Sequence, residues 1–318
     1  MSRLRNFGFG IMILLAAASS AQADLDLAGD RLVLDATVWT SGHVWMAEEG
    51  GLSRNELAFE RVDAVAGLTG RVTPGVSFRL SADVGRAEPR DLYLSLTWRG
   101  RLGLRAGQFL QPLGMDAMTE PDSQILSGNA LLISYAKPLG TRDIGILGTW
   151  DADRISVAAA VINGSGPNAG EANGRKDLCA RVAVRPASTA NATLALRAYH
   201  GWPGASETAW QTVAFEASAA RGPLELQAEF QNHQGPDARN NAGYVQAYLS
   251  TGQLQPVARL DLVLPSRKRA DWMATAGINV RPFSACDAFR VLLSCSYRRN
   301  YQDNWSFLAF LVRLQAAI

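Results

Sequence analysis

Apolar and polar residues alternate with a period of two along most of this chain, and that pattern constrains the fold more than any other feature. Leu224-Glu225-Leu226-Gln227-Ala228-Glu229-Phe230-Gln231 sends every apolar side chain to one face and every polar one to the other, as a strand between two different media requires. Val76 to Val84 repeats the pattern, as do Leu92 to Trp98, Leu178 to Arg185, Thr193 to Tyr199 and Ala258 to Leu264. Helix-period stretches are almost absent. Alternating segments of about 8 to 12 residues centre near Ala36, Val62, Leu80, Leu94, Leu104, Ile146, Val157, Val182, Leu196, Phe215, Leu226, Ala247, Leu260, Ile278, Leu293 and Phe310, sixteen in all.

The connections alternate too. Thr73-Pro74-Gly75, Arg99-Gly100, Asp151-Ala152-Asp153, Pro186 to Asn191, Arg221-Gly222-Pro223, Thr251-Gly252-Gln253 and Arg281 to Ala288 follow the even-numbered segments and read as turns. The odd-numbered segments are followed by His43 to Asn55, Gly85 to Arg90, Pro112 to Arg142, Gly164 to Lys176, Gly201 to Thr208, Asn232 to Asn241, Pro265 to Asp271 and Arg298 to Asn304, which are mostly longer. Short turns on one rim and long loops on the other predict an antiparallel up-and-down barrel of about sixteen strands.

The polar face carries Arg31, Asp35, Arg61, Asp63, Arg79, Asp83, Arg181, Arg185, Arg197, Glu225, Glu229, Arg259, Asp261, Arg281 and Arg290. Sixteen strands close around a space too wide to fill with side chains, so this lining calls for water inside and lipid outside. Closure also satisfies every backbone hydrogen bond within a bilayer. Counting back from the end, Ile318, Ala316, Leu314, Val312, Phe310 and Leu308 share one face, so the last strand fits the same scheme. Trp39, Trp45, Trp98, Trp150, Trp202, Trp210, Trp272, Tyr301 and Trp305 fall near segment ends, where interfacial girdles belong.

Residues 1–23 read as a secretory signal peptide: Arg3 and Arg5, an apolar run from Phe7 to Ala18, then Ala21-Gln22-Ala23. Residues 24–318 then form one barrel domain. Without Arg3 and Arg5 the basic count falls from 31 to 29, equal to the 29 acids, so a nucleic-acid-binding face is not expected. Beyond Ala23 no window is apolar enough for a membrane helix. Cys286 and Cys295 would lie up to about 30 Å apart in one extended strand, too far for a disulfide. Cys179, Cys286 and Cys295 are therefore expected as free thiols. His43, His200 and His233 do not cluster with them, so neither metal nor other cofactor is expected.

Two stretches carry a family resemblance. Arg105-Ala106-Gly107-Gln108-Phe109-Leu110-Gln111-Pro112-Leu113-Gly114-Met115-Asp116, then a long loop, then Gly140-Thr141-Arg142-Asp143-Ile144-Gly145-Ile146, resembles the middle of the phosphate-selective porin O/P family of bacterial outer-membrane proteins. Val161-Ile162-Asn163-Gly164 and Asp177-Leu178-Cys179-Ala180-Arg181-Val182, leading to Arg185-Pro186, are similar to a second passage of that family. The resemblance implies an outer-membrane barrel, a homotrimer, and passage of small anionic or polar solutes. It does not bring phosphate selectivity with it, because only Lys137, Lys176 and Lys268 are lysines.

The longest connection, Pro112 to Arg142, follows the fifth segment, and its apolar patches Ile125-Leu126 and Leu131-Leu132-Ile133 suit packing against the inner wall. Asp116, Glu120, Asp122, Lys137 and Arg142 on this third loop would then face Arg61, Arg79, Arg99 and Arg105, with Arg181, Arg197 and Arg259 farther round. A guanidinium wall opposite a carboxylate loop sets up a transverse field across a narrow zone. About half of these arginines are expected to pair with inward acids such as Asp63, Asp83 and Asp261. Arg105, Arg79 and Arg61 are expected to carry an anion preference. The small outward side chains Val62, Ala64 and Ala66, or Val157, Ala159 and Val161, suit a subunit contact.

An outer-membrane hydrolase would need a nucleophile motif, and neither His200 near Ser206 nor His233 near Asp237 sits in one, so no enzyme is expected. An adhesin would use loops with aromatic clusters or repeats, which these lack. A substrate-specific uptake channel for an organic anion is the alternative to a general diffusion channel.

Overall fold

The computed structural model describes residues 25–317 apart from 28–30, 50–51, 60–61, 121–122, 127, 136–140, 187–190, 207, 236–238, 267–269, 284–288 and 302–304. The expected signal segment and Cys286 lie outside these residues.

Eighteen strands are described: β1 (Leu25–Leu27), β2 (Leu32–Glu49), β3 (Leu52–Phe59), β4 (Asp63–Thr73), β5 (Val76–Asp83), β6 (Glu88–Trp98), β7 (Leu102–Leu110), β8 (Arg142–Asp151), β9 (Ile155–Ile162), β10 (Asp177–Val184), β11 (Asn191–Gly201), β12 (Trp210–Arg221), β13 (Leu224–Gln234), β14 (Arg239–Leu249), β15 (Leu254–Pro265), β16 (Asp271–Val280), β17 (Phe289–Asn300) and β18 (Trp305–Ala317). One short helix, α1 (Leu131–Tyr135), lies between β7 and β8. From β4 to β18 each strand pairs antiparallel with the next, and β18 closes the ring on β2, with Ala317 opposite Thr37 and Trp305 opposite Glu49.

Two of the eighteen pieces share positions with others. One half of β2 pairs with β3, Gly42 opposite Phe59, and the other half with β4, Trp39 opposite Asp63, so β3 and β4 together fill one position in the wall. β1 pairs with β2 at Leu25 opposite Leu34, continuing the line of β18 beyond Ala317. The ring therefore holds sixteen strand positions, one for each alternating segment of the sequence.

The polarity of the wall is inverted relative to a water-soluble protein. On β13, Phe230 is 53% exposed while Glu229 and Gln231 beside it are 2% and 0% exposed. Leu92, Leu94 and Leu96 on β6, Leu102 and Leu104 on β7, Leu196 on β11 and Leu260, Leu262 and Leu264 on β15 extend the exposed apolar belt around the ring. The described fold is an all-β transmembrane barrel. Trp98 and Trp150, both exposed, flank Leu102 near the short-turn rim, a position suited to an interfacial ring.

The connection read at His43 to Asn55 is not a loop. β2 runs 18 residues to Glu49 and β3, from Leu52, pairs back on it, whereas about 9 to 11 residues suffice to cross a bilayer. The ladder continues where the contrast in hydropathy fades through Glu48-Glu49 and Arg54-Asn55-Glu56, because past the apolar zone both faces of a hairpin meet water. Asn232 to Asn241 and Arg298 to Asn304 likewise contain strand, since β13 reaches Gln234, β14 begins at Arg239 and β17 reaches Asn300. Cys179 and Cys295 are free thiols.

Candidate pore constriction

The segment after β7 runs along inward-facing side chains of the barrel. Gly107, in the strand that launches it, has φ +128°, and a Cβ there would lie 2.2 Å from the Leu92 carbonyl oxygen, so only glycine lets β7 approach β6 this closely. Leu113, Ala130, Leu131 and Leu132 are buried with Phe109 against Leu147, Ala160, Ile162, Cys179, Tyr199, Ala242, Tyr244, Val263 and Met273, inward residues of β8 to β16.

Polar contacts reinforce that packing. The Met115 amide donates to Glu229 at 3.0 Å, the Leu131 amide to Asp261 at 2.9 Å, and Gln231 Nε2 to the Leu132 carbonyl at 3.1 Å. Arg259 donates from Nη2 to the Gly128 carbonyl at 2.9 Å and from Nε to Asp261 at 3.0 Å, while its Nη1 lies 3.6 Å from Asp116. Asp116 in turn accepts from the Ala130 amide at 2.7 Å, which closes the loop on itself. Farther along, Arg313 donates to Gln124 at 2.6 Å. Tyr135 at the end of α1 donates to Asp271, which Arg298 also holds, at 3.0 Å from Nε. Burial, together with that bond to Asp271, pushes the Tyr135 hydroxyl up to about 12.

Behind the loop sits a buried charge cluster. Arg197 is 1% exposed and pairs with both Glu216 and Glu229, and Arg181 pairs with Glu216 at 2.8 Å. Removing one partner from such a set leaves a buried charge uncompensated, so these groups are committed to one another and to the loop.

The wall from β2 to β8 is organised differently. Arg79 pairs with Asp35 across β4 and donates to Thr69 at 2.9 Å. Gly67 makes this possible: a Cβ there would lie 2.4 Å from Arg79 Nη2 and 2.7 Å from Asp35 Oδ2. The register between β5 and β6 shifts between Leu80 and Ala82, a bulge at Arg90-Asp91. Asp91 accepts from Ser81 at 3.0 Å and from two nitrogens of Arg142, each at 3.0 Å. Glu120 from the loop bridges Arg142 and Arg90, each at 2.8 Å. The Arg105 guanidinium lies over the Tyr93 ring, 4.1 Å from its centroid. Arg105 has no ion pair among the described residues, and its Nε is buried without a partner.

These side chains surround a lumenal recess of about 320 Å³, lined by Asp35, Thr37, Val65, Arg79, Ser81, Arg90, Asp91, Tyr93, Arg105, Leu110, Met118 and Glu120.

The sequence-derived candidates therefore divide. Arg79, Arg105 and Glu120 line the recess and Arg142 pairs with Glu120 and Asp91 beside it; Asp116 and Arg259 hold the loop to the far wall, and Arg181 and Arg197 lie in the charge cluster behind it. Arg99 lies in the turn after β6, on the rim opposite the loop, stacked on Trp98 at 4.5 Å. Arg61, Asp122 and Lys137 lie outside the described residues. Arg90, Asp91 and Tyr93 were not among the candidates. Arg90 was assigned to a connection, and a bulge leaves no mark in an alternation pattern. Glu216 was hidden for a different reason: its role depends on which inward arginine register places beside it.

No protein-family model matches the chain, and no curated protein matches its sequence. Solved structures do match. The anion-selective porin from Comamonas acidovorans superposes with a TM-score of 0.67 at 13% identity, covering 91% of this chain and 100% of that one. OprB of Pseudomonas putida gives 0.64 at 11% identity, covering 90% and 94%. The outer-membrane channel DcaP of Acinetobacter baumannii gives 0.61 at 11% identity, covering 92% and 99%. At such identities the shared property is the fold: this chain is built as a sixteen-stranded barrel of the kind found in outer-membrane porins.

Proposed function

We propose that the protein is a diffusion channel of a bacterial outer membrane, passing small polar and anionic solutes, phosphate-like anions among them, through a constriction between the third loop and the recess wall. It is exported by its amino-terminal segment, turns its short connections to the periplasm and its long ones outward, and assembles as a homotrimer. The reading invokes no catalytic group and no cofactor. The single observation that carries it is the state of the charges at the recess. Asp35, Asp91 and Glu120 each face a guanidinium within ion-pair range, whereas Arg105 has no carboxylate partner among the described residues.

An excess cation beside a narrow aqueous path raises the local concentration of anions, and weak contacts let them leave again. Planar-bilayer recording in a potassium chloride gradient tests this. Wild type is expected to favour chloride over potassium, and Arg105→Gln, with or without Arg79→Gln, is expected to lower that ratio. An unchanged reversal potential rejects anion selection at this wall, and absence of conductance rejects the channel.

A further inference from the structure

A general aqueous constriction needs only polar lining, yet the recess is half apolar. Val65 projects inward from β4, and Leu110, Met118 and the Tyr93 ring join it beside three guanidinium groups. Val65 is 8% exposed on a wall that should be wetted. Its burial, with Leu110 and Met118 beside it, gives the recess a surface from which water gains little and an apolar body gains much. At about 320 Å³ it stands at the small end of ligand pockets, a size that suits a small solute.

The charges are specific as well. Arg79 is taken by Asp35, and Arg90 and Arg142 share Glu120. Among the described lining residues that leaves one guanidinium, Arg105, which has no ion pair and whose face rests on Tyr93. One free cation next to an apolar wall suits one negative charge on an oily body, not an inorganic oxyanion, which would leave the apolar wall unused. A dicarboxylate would bring its second charge against Asp35 and Glu120.

We propose that this recess is a binding station for small organic monocarboxylates with an apolar or aromatic body. The carboxylate pairs with Arg105, and the body packs on Tyr93, Val65, Leu110 and Met118. The station rests on the channel reading above and narrows it to a substrate class.

The test records wild-type channels in planar bilayers with benzoate, acetate, inorganic phosphate or benzyl alcohol added to the chloride bath. Benzoate is expected to reduce chloride current at a concentration at least about tenfold below that needed for acetate, because the phenyl group adds several buried carbons. Phosphate and benzyl alcohol, each lacking one half of the match, are expected to be weak. Arg105→Gln should weaken benzoate block by about tenfold or more, the loss of one charge-assisted bond. Arg105→Lys should restore part of it. Val65→Thr and Met118→Gln, which keep volume but wet the wall, should bring benzoate down toward acetate. Anion-selective channels that benzoate and acetate block equally overturn the station and leave the channel reading standing. Equal benzoate block in wild type and Arg105→Gln does the same, and absence of any current overturns both.

Discussion

The lumen wall has two halves that look alike in sequence and behave differently in the structure. From β8 to β16 the inward face is dry: Leu147, Ile162, Tyr199, Tyr244 and Val263 are buried under the third loop, and Arg197, Glu216, Glu229, Arg259 and Asp261 are buried with them. From β2 to β7 the inward face opens on the recess, where Arg79, Arg105 and Tyr93 are half-buried. Both halves alternate and both carry arginines. The difference is one of access: an inward arginine faces the lumen only where nothing covers it. Where a loop covers it, its charge is spent on holding the loop.

The comparison breaks most severely on the dry side. Arg197→Leu should strand Glu229 without its cation and leave Glu216 to Arg181 alone, at a cost of about 3 to 5 kcal/mol. A large fall in the thermal unfolding midpoint in detergent, with noisier channel conductance as the loop loosens, is the expected result. An unchanged midpoint would mean that the cluster does not anchor the loop.

Next comes Gly67→Ala, whose new Cβ collides with Arg79 and Asp35. It should disrupt that pair on the open side, lowering stability by about 1 to 3 kcal/mol and altering conductance together. Third, Arg105→Gln and Arg181→Gln sharpen the contrast directly. The first should shift the reversal potential toward zero in a salt gradient. The second should leave it nearly where it was and act on stability instead, because Arg181 is committed to Glu216.

The smallest effect is a pH dependence at the end of α1. The Tyr135 hydroxyl is raised from 10 to about 12, so its contribution to holding the loop is fully present below pH 10 and is lost as pH rises toward 12. Wild type should therefore lose stability across that interval more steeply than Tyr135→Phe, measured by thermal unfolding at matched pH values. Parallel profiles would remove Tyr135 from the anchor.

Much of the architecture was legible from residue order. Sixteen segments correspond to sixteen ring positions because a side-chain period of two survives wherever one face meets lipid and the other does not. The same logic explains the misreading at His43 to Asn55: beyond the apolar zone the backbone ladder persists, but the hydropathy contrast that reveals it does not. The apolar inward residues Leu147, Ile162, Tyr199 and Val263 run against a simple oily-out, wet-in rule, and they do so because a second apolar surface, the loop, comes to lie on them.

Alternation, rim parity and the length of the third connection determined by themselves that this chain is a wide barrel with a polar lining, since each follows from local contrasts between neighbouring residues. Only tertiary structure decided which charges cancel. Pairing Arg197 with Glu229, or setting Arg79 across Gly67 from Asp35, depends on register between strands and on the path of one loop, and an ion pair is sensitive to a few ångströms that no local pattern encodes.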